Sequence, residues 1–197
     1  MELPRVGRER VPASLLFHAK SHPPLEPLRA VIATLERAGI PCALGGSGLL
    51  AALGLTASVR DWDLQVDAPA RLVYPQLDPA RTRYVGSDAL HADEKVELPE
   101  DRIEVICRFA FFTPDGIVEL PAAIGERREG LPLACAEVWA VAYWLLEREA
   151  KAAALLAHLE AQGARAELID ALLAQPLPPA LSGRLRRLAP RGPSSSP

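Results

Sequence analysis

The order of elements in the chain predicts an α/β (α+β) fold, a mixed sheet with helices on one face followed by C-terminal helices. Three observations carry that class. Between Leu25 and Val66, short apolar runs suited to strands alternate with segments of helical period. A glycine-rich turn, Gly45-Gly46-Ser47-Gly48, stands where one such run passes into a helix. After Leu133 the composition shifts to alanine and leucine at helical spacing.

Residues 1–24 mix charges with prolines and show no sustained period, so they read as an arm. Residues 25–38 place Leu25, Leu28, Val31, Ile32 and Leu35 on one helical face, with Gly39 suited to end the helix. Ile40–Leu44 reads as a buried strand, residues 49–53 as a short helix closed by Gly54, and Trp62–Val66 as a second strand with Asp61 at its mouth. Tyr84–Val85 and Lys95–Leu98 read as short strands. Residues 102–109 form the strongest strand pattern, Ile103, Val105 and Cys107 alternating with Arg102, Glu104 and Ile106. Thr113-Pro114-Asp115-Gly116 is a turn signature, so residues 109–112 and 117–120 are expected to form a hairpin. Residues 136–161 read as one long helix, interrupted only by the charged patch 147–151, and residues 164–174 as another. The expected division is an arm (1–24), an α/β core (25–133), a helical unit packed on it (134–175) and a Pro/Arg/Ser-rich tail (176–197) with a disordered end at 192–197.

Of 197 residues, 49% are hydrophobic and 24% charged, an ordinary globular balance. A net charge of −3 excludes a protein that grips nucleic acid through a global positive field. The three cysteines, Cys42, Cys107 and Cys135, are odd in number and have no C-x-x-C spacing, which excludes a disulfide framework or zinc ribbon and suggests inert core thiols. The four histidines lack metal-ligand spacing. No signal-like segment opens the chain, and the most apolar stretch, 131–146, is too short to span a bilayer, so the expectation is a soluble cytoplasmic protein without membrane contact. The apolar face at 138–146 reads either as domain core or as a homodimer interface. Trp139, Tyr143 and Trp144 sit at helical spacing and read as core, with one ring able to stack on a base. Arg184, Arg186, Arg187 and Arg191 read as a solvated, frayed end.

Three features carry chemistry. Gly45, Gly46 and Ser47 at a strand-to-helix junction would let backbone N–H groups approach a phosphate, with a hydroxyl added. Asp61 and Asp63 fall on one face of a strand, roughly 6.5–7 Å apart along the chain, while Trp62 and Leu64 point the other way. Paired carboxylates of this kind can hold divalent ions. Glu104 lies within an otherwise apolar strand, where a carboxylate needs a partner: either an arginine, Arg102 sharing its face, or a metal.

Together these features resemble the nucleotidyltransferase superfamily to which DNA polymerase beta belongs. The likeness lies in Leu44-Gly45-Gly46-Ser47, in Arg60-Asp61-Trp62-Asp63-Leu64 about 15 residues later, and in Ile103-Glu104-Val105. It is nearest to small bacterial minimal nucleotidyltransferases and abortive-infection type toxins of toxin–antitoxin kind, and covers residues 28–160. A family helix motif, Arg-x-x-Lys-Asp, is matched in its basic part by Arg148 and Lys151, with Ala152 in place of the acid. Val59 stands where the family has Ser or Thr.

The resemblance implies an enzyme that moves a nucleotidyl group from an NTP to an acceptor hydroxyl on a small molecule, an RNA end or a protein. Asp61, Asp63 and Glu104 would be the catalytic and metal-binding acids, holding Mg²⁺ in a two-metal site. Gly45, Gly46, Ser47, Arg60, Lys151 and Arg148 would contact the nucleotide. Lys151 has a second reading, a surface pair with Glu147. Two alternatives stand beside the enzyme: a catalytically weak nucleotide-binding or antitoxin-like regulatory protein of the same fold, and a structural domain whose acids form salt bridges.

Overall fold

Helical structure begins where the apolar period begins. In the computed structural model, which describes residues 21–188, helix α1 spans Leu25–Arg37 and buries Leu28, Val31, Ile32 and Leu35, the face expected from their spacing. Then come β1 (Cys42–Leu44), α2 (Gly46–Ala52), β2 (Trp62–Val66), a single turn α3 (Ala70–Val73), β3 (Arg83–Val85), β4 (Glu94–Leu98) and β5 (Ile103–Cys107). Two hairpins follow, β6 (Ala110–Thr113) with β7 (Gly116–Glu119), and β8 (Ile124–Arg128) with β9 (Leu131–Ala134). Four helices close the chain: α4 (Ala136–Leu145), α5 (Glu149–Gln162), α6 (Ala166–Leu173) and α7 (Pro179–Leu188).

Seven strands form one sheet in the order β3-β4-β5-β2-β1-β9-β8, and β6-β7 stands apart. The sheet is mixed, as expected: β2·β5 and β1·β9 are parallel, the other pairs antiparallel. Trp62, Leu64 and Val66 on β2 are fully buried, and burial of such side chains contributes about 1.5–3 kcal/mol each. The Trp62 indole N–H also donates to the Pro24 carbonyl just before α1, at 3.2 Å, which ties the helix to this face. All three cysteines are free and buried; burial pushes the Cys42 and Cys107 thiols up to about 12, so both are protonated, inert core groups.

Four expectations need correction. The helix expected at 49–53 starts earlier, at Gly46, so the glycine turn is itself the first turn of α2. The single long helix at 136–161 is two helices. Glu147 adopts a left-handed φ of 55°, and the Glu147 and Arg148 amides donate back to the Trp144 and Tyr143 carbonyls at 3.0 and 2.8 Å. This is a Schellman ending with glutamate in the usual glycine position. The β8-β9 hairpin was not expected; its two-residue turn, Glu129-Gly130, has both φ values positive, 46° and 82°, as a type I′ turn requires. The segment from residue 176, expected to be a tail, carries α7, which buries Leu181, Leu185 and Leu188 and packs on α6. Arg184 lies on this helix with its guanidinium 5.9 Å from the Trp144 ring centroid, so it is not part of a frayed end. The arm up to residue 20 and the end at 192–197 lie outside the described residues.

Of the apolar stretch 138–146, read as core or homodimer face, Val138 through Tyr143 are core, at most 4% exposed, while Trp144, Leu145 and Leu146 are half-buried. Among the described residues no helix is long and apolar enough to cross a membrane.

Candidate active site

The site is built where β1 ends and the chain turns into α2. The Gly45 amide donates to the Asp63 carbonyl at 2.8 Å, and the Ser47 hydroxyl donates to the Asp61 carbonyl at 3.4 Å, so the turn is tied to β2. Gly46 has φ 54°, and a Cβ there would lie 1.6 Å from Asp63 Oδ2. A Cβ on Gly45 would lie 2.0 Å from the Trp139 ring. The room these glycines leave is therefore filled by the Asp63 carboxylate and the Trp139 indole, a local reason for Gly-Gly that needs no ligand.

Asp61 precedes β2 and Asp63 lies within it. Both line the cleft, while Trp62 and Leu64 are fully buried. The parallel register sets Glu104 of β5 directly beside Asp63. Burial, with Asp61 and Glu104 close by, pushes the Asp63 carboxyl up to about 7; Lys95 and Lys151 oppose the shift. Glu104 does have a cationic partner, but among the described residues it is not Arg102 or another arginine. Lys95 of β4 reaches it, with Nζ 3.1 Å from Oε2. The Glu104 carboxylate keeps Lys95 charged, holding its pKa above the ordinary value against burial.

Arg60, Arg148 and Lys151 line the same cleft as the acids, and it has a volume of about 450 Å³. The α4–α5 break delivers the last two: Arg148 immediately precedes α5 and Lys151 lies in its first turn. The Lys151 ammonium lies 5.0 Å from the Tyr143 ring centroid, and burial together with Arg148 lowers its pKa. It does not pair with Glu147, whose left-handed backbone takes it off the α5 face. Ser47, Arg60, Asp61, Asp63, Glu104, Arg148 and Lys151 thus line one cleft, with Gly45 and Gly46 forming the turn behind it.

Sequence reasoning missed Lys95, His91 and Phe109, which also line the cleft, and assigned Trp139 and Tyr143 mainly to the core. Both aromatics are buried and still form part of the wall. Lys95 left a faint signal, an alternation of Lys95 and Glu97 about buried Val96, but nothing in it says that β4 lies next to β5.

The donor set suits a hard divalent cation. Asp61 and Asp63 offer carboxylate oxygens, and among the described residues neither has a salt-bridge partner. Among the described residues, no three His, Cys, Asp or Glu side chains converge into a ready-made metal cage.

No family model matches the chain, and no curated protein matches it by sequence. Among solved structures, a candidate nucleotidyltransferase from Thermotoga maritima superposes with a TM-score of 0.50 at 19% identity, over 70% of this chain and 93% of that one. The antibiotic-resistance factor ANT(2'')-Ia aligns with a TM-score of 0.49 at 17% identity, over 82% of this chain and 92% of its own. At 19% identity the first likeness is one of architecture. The fold that the resemblance implies is thereby borne out: the chain has a nucleotidyltransferase fold.

Proposed function

We propose that the chain is a divalent-metal-dependent nucleotidyltransferase, Mg²⁺ being the first metal to test, that moves a nucleotidyl group from an NTP to an acceptor hydroxyl. One observation carries this reading. Asp61 and Asp63, which form no salt bridge among the described residues, line a single cleft together with three cations, Arg60, Arg148 and Lys151, beside the Gly45-Gly46-Ser47 turn. A metal-bound triphosphate is a ligand with positive charge for the acids and negative charge for the cations.

In the reaction the acceptor hydroxyl gives up its proton to water, its oxygen bonds to the α-phosphorus, the bond from that phosphorus to the β-phosphate oxygen breaks, and pyrophosphate leaves. Asp61 and Asp63 would hold the metal ion. When bound, it neutralises phosphate charge and makes the acceptor hydroxyl more acidic. Arg60, Arg148 and Lys151 would bind the β- and γ-phosphates, where charge collects as pyrophosphate departs. The Ser47 hydroxyl and the turn amides would orient the phosphates. Phe109, Trp139 and Tyr143 would form the apolar wall that limits water. Glu104, beside Asp63, would face the acceptor, a hydroxyl on a small molecule, an RNA end or a protein side chain.

The test is incubation with Mg²⁺ and each labelled NTP in turn, with candidate acceptors, against Asp61→Ala/Asp63→Ala. Transfer or pyrophosphate release that the double variant lacks is the expected result. A second reading rests on the Lys95–Glu104 pair, which occupies the third acid before any ligand arrives. In that reading the fold binds Mg²⁺ and nucleotide but does not turn over, and nucleotide binding without product would favour it.

A further inference from the structure

The register of the sheet lines up four charged residues across adjacent strands. Asp63 of β2 is paired with Glu104 of β5, Glu104 with Glu97 of β4, and Glu97 with Arg83 of β3. Paired residues share a sheet face, with strands about 4.8 Å apart. Three carboxylates side by side would repel one another strongly without cations. The outer acid, Glu97, forms an ion pair with Arg83. The middle one, Glu104, is held by Lys95, which lies two residues before Glu97 on the same face of β4. Among the described residues Asp63, with Asp61 nearby, is the acid of this row that forms no ion pair.

From this geometry we infer that Lys95 is a built-in cation that replaces one metal ion, so the site takes a single divalent ion per chain, on Asp61 and Asp63, instead of two. The inference rests on the proposed function above and makes it more specific. Asp61, Asp63 and Glu104 together carry −3, and Lys95 brings the cluster to −2. One divalent ion then neutralises these four groups, whereas a second would bring them to +2 in a cleft that already holds Arg60, Arg148 and Lys151, a costly arrangement. The pair is partly shielded, the Lys95 and Glu104 side chains being 23% and 31% exposed, so solvent screens it less than a surface pair. Lys95 is thus a positioning residue. It holds Glu104 next to Asp63 and excludes a metal from the space between them.

The test counts tightly bound Mn²⁺ by electron paramagnetic resonance in nucleotide-free protein. Wild type is expected to bind one ion per chain and Asp61→Asn/Asp63→Asn none. Lys95→Met should gain a second ion, and Lys95→Arg should keep one. Should Lys95→Met fail to fold, Glu104→Gln decides: it should still bind one Mn²⁺, with an affinity within about threefold of wild type, because Glu104 is not a ligand to that ion. Two ions in wild type, one ion in a folded Lys95→Met, or loss of the ion in Glu104→Gln would each overturn the inference while leaving a metal-dependent site in place. No bound ion in any of the proteins would overturn it together with the metal-dependent reading.

Discussion

Asp63 is the residue on which the site turns. Its carboxylate fills the space left by Gly46, and both neighbouring acids oppose its ionisation. Its folded pKa of about 7 is above the ordinary aspartate value, so folding favours the protonated form. Its contribution to stability is therefore fully present below pH 4 and is lost as pH rises through 7. In EDTA at pH 8, Asp63→Asn should raise the melting temperature by about 2–8 °C, corresponding to about 1–2 kcal/mol, and the gain should vanish near pH 4. Thermal denaturation at the two pH values checks this; a large loss at pH 8 would mean that the carboxylate is structural. Asp61, Asp63 and Glu104 were legible in the sequence because strand alternation sets their faces. The use of the glycines was only partly legible. Their neighbours, Asp63 and Trp139, meet them through long-range packing that local spacing does not encode.

The α4–α5 junction explains how two basic residues reach a site built on the sheet. A continuous helix would carry Arg148 and Lys151 onward along the α4 axis, whereas the reversal after Leu146 folds α5 back against α4 and brings both into the cleft. Glu147 occupies the left-handed corner at some conformational cost, as any non-glycine residue does there. Glu147→Gly should therefore stabilise the fold by about 1 kcal/mol, raising the melting temperature by about 2–4 °C, since the side chain is exposed and in no salt bridge among the described residues. A lower melting temperature would show that this side chain contributes contacts which outweigh the backbone gain. This break was illegible because alanine and leucine favour helix on both sides and no glycine or proline marks the corner. The β8-β9 hairpin was hidden by its charge: Glu126, Arg127, Arg128 and Glu129 resemble a loop, yet β8 is an edge strand with its outer face in solvent. By contrast, the spacing of Leu181, Leu185 and Leu188 that seats α7 was open to reading and was obscured by the surrounding prolines and arginines.

For the whole molecule, the net charge of −3 says little until it is placed in space. The cleft brings together Asp61 and Asp63, which form no ion pair among the described residues, the cations Arg60, Arg148 and Lys151, and the rings of Phe109, Trp139 and Tyr143. The class of fold was legible because element order and the strand–turn–helix junction constrain it. The strand order was not, since β5 passes beside β2 and β9 enters next to β1 through contacts distant in sequence. On the proposed function, this cleft would bind a metal–nucleotide complex through Asp61 and Asp63. Isothermal titration with non-hydrolysable triphosphate analogues of the four bases, with and without Mg²⁺, tests it most directly. At least one analogue should bind only with Mg²⁺ present, and its affinity should fall at least tenfold, about 1.4 kcal/mol, in Asp61→Asn/Asp63→Asn. Binding that is indifferent to Mg²⁺ and to the double substitution, or no binding of any analogue, would contradict it.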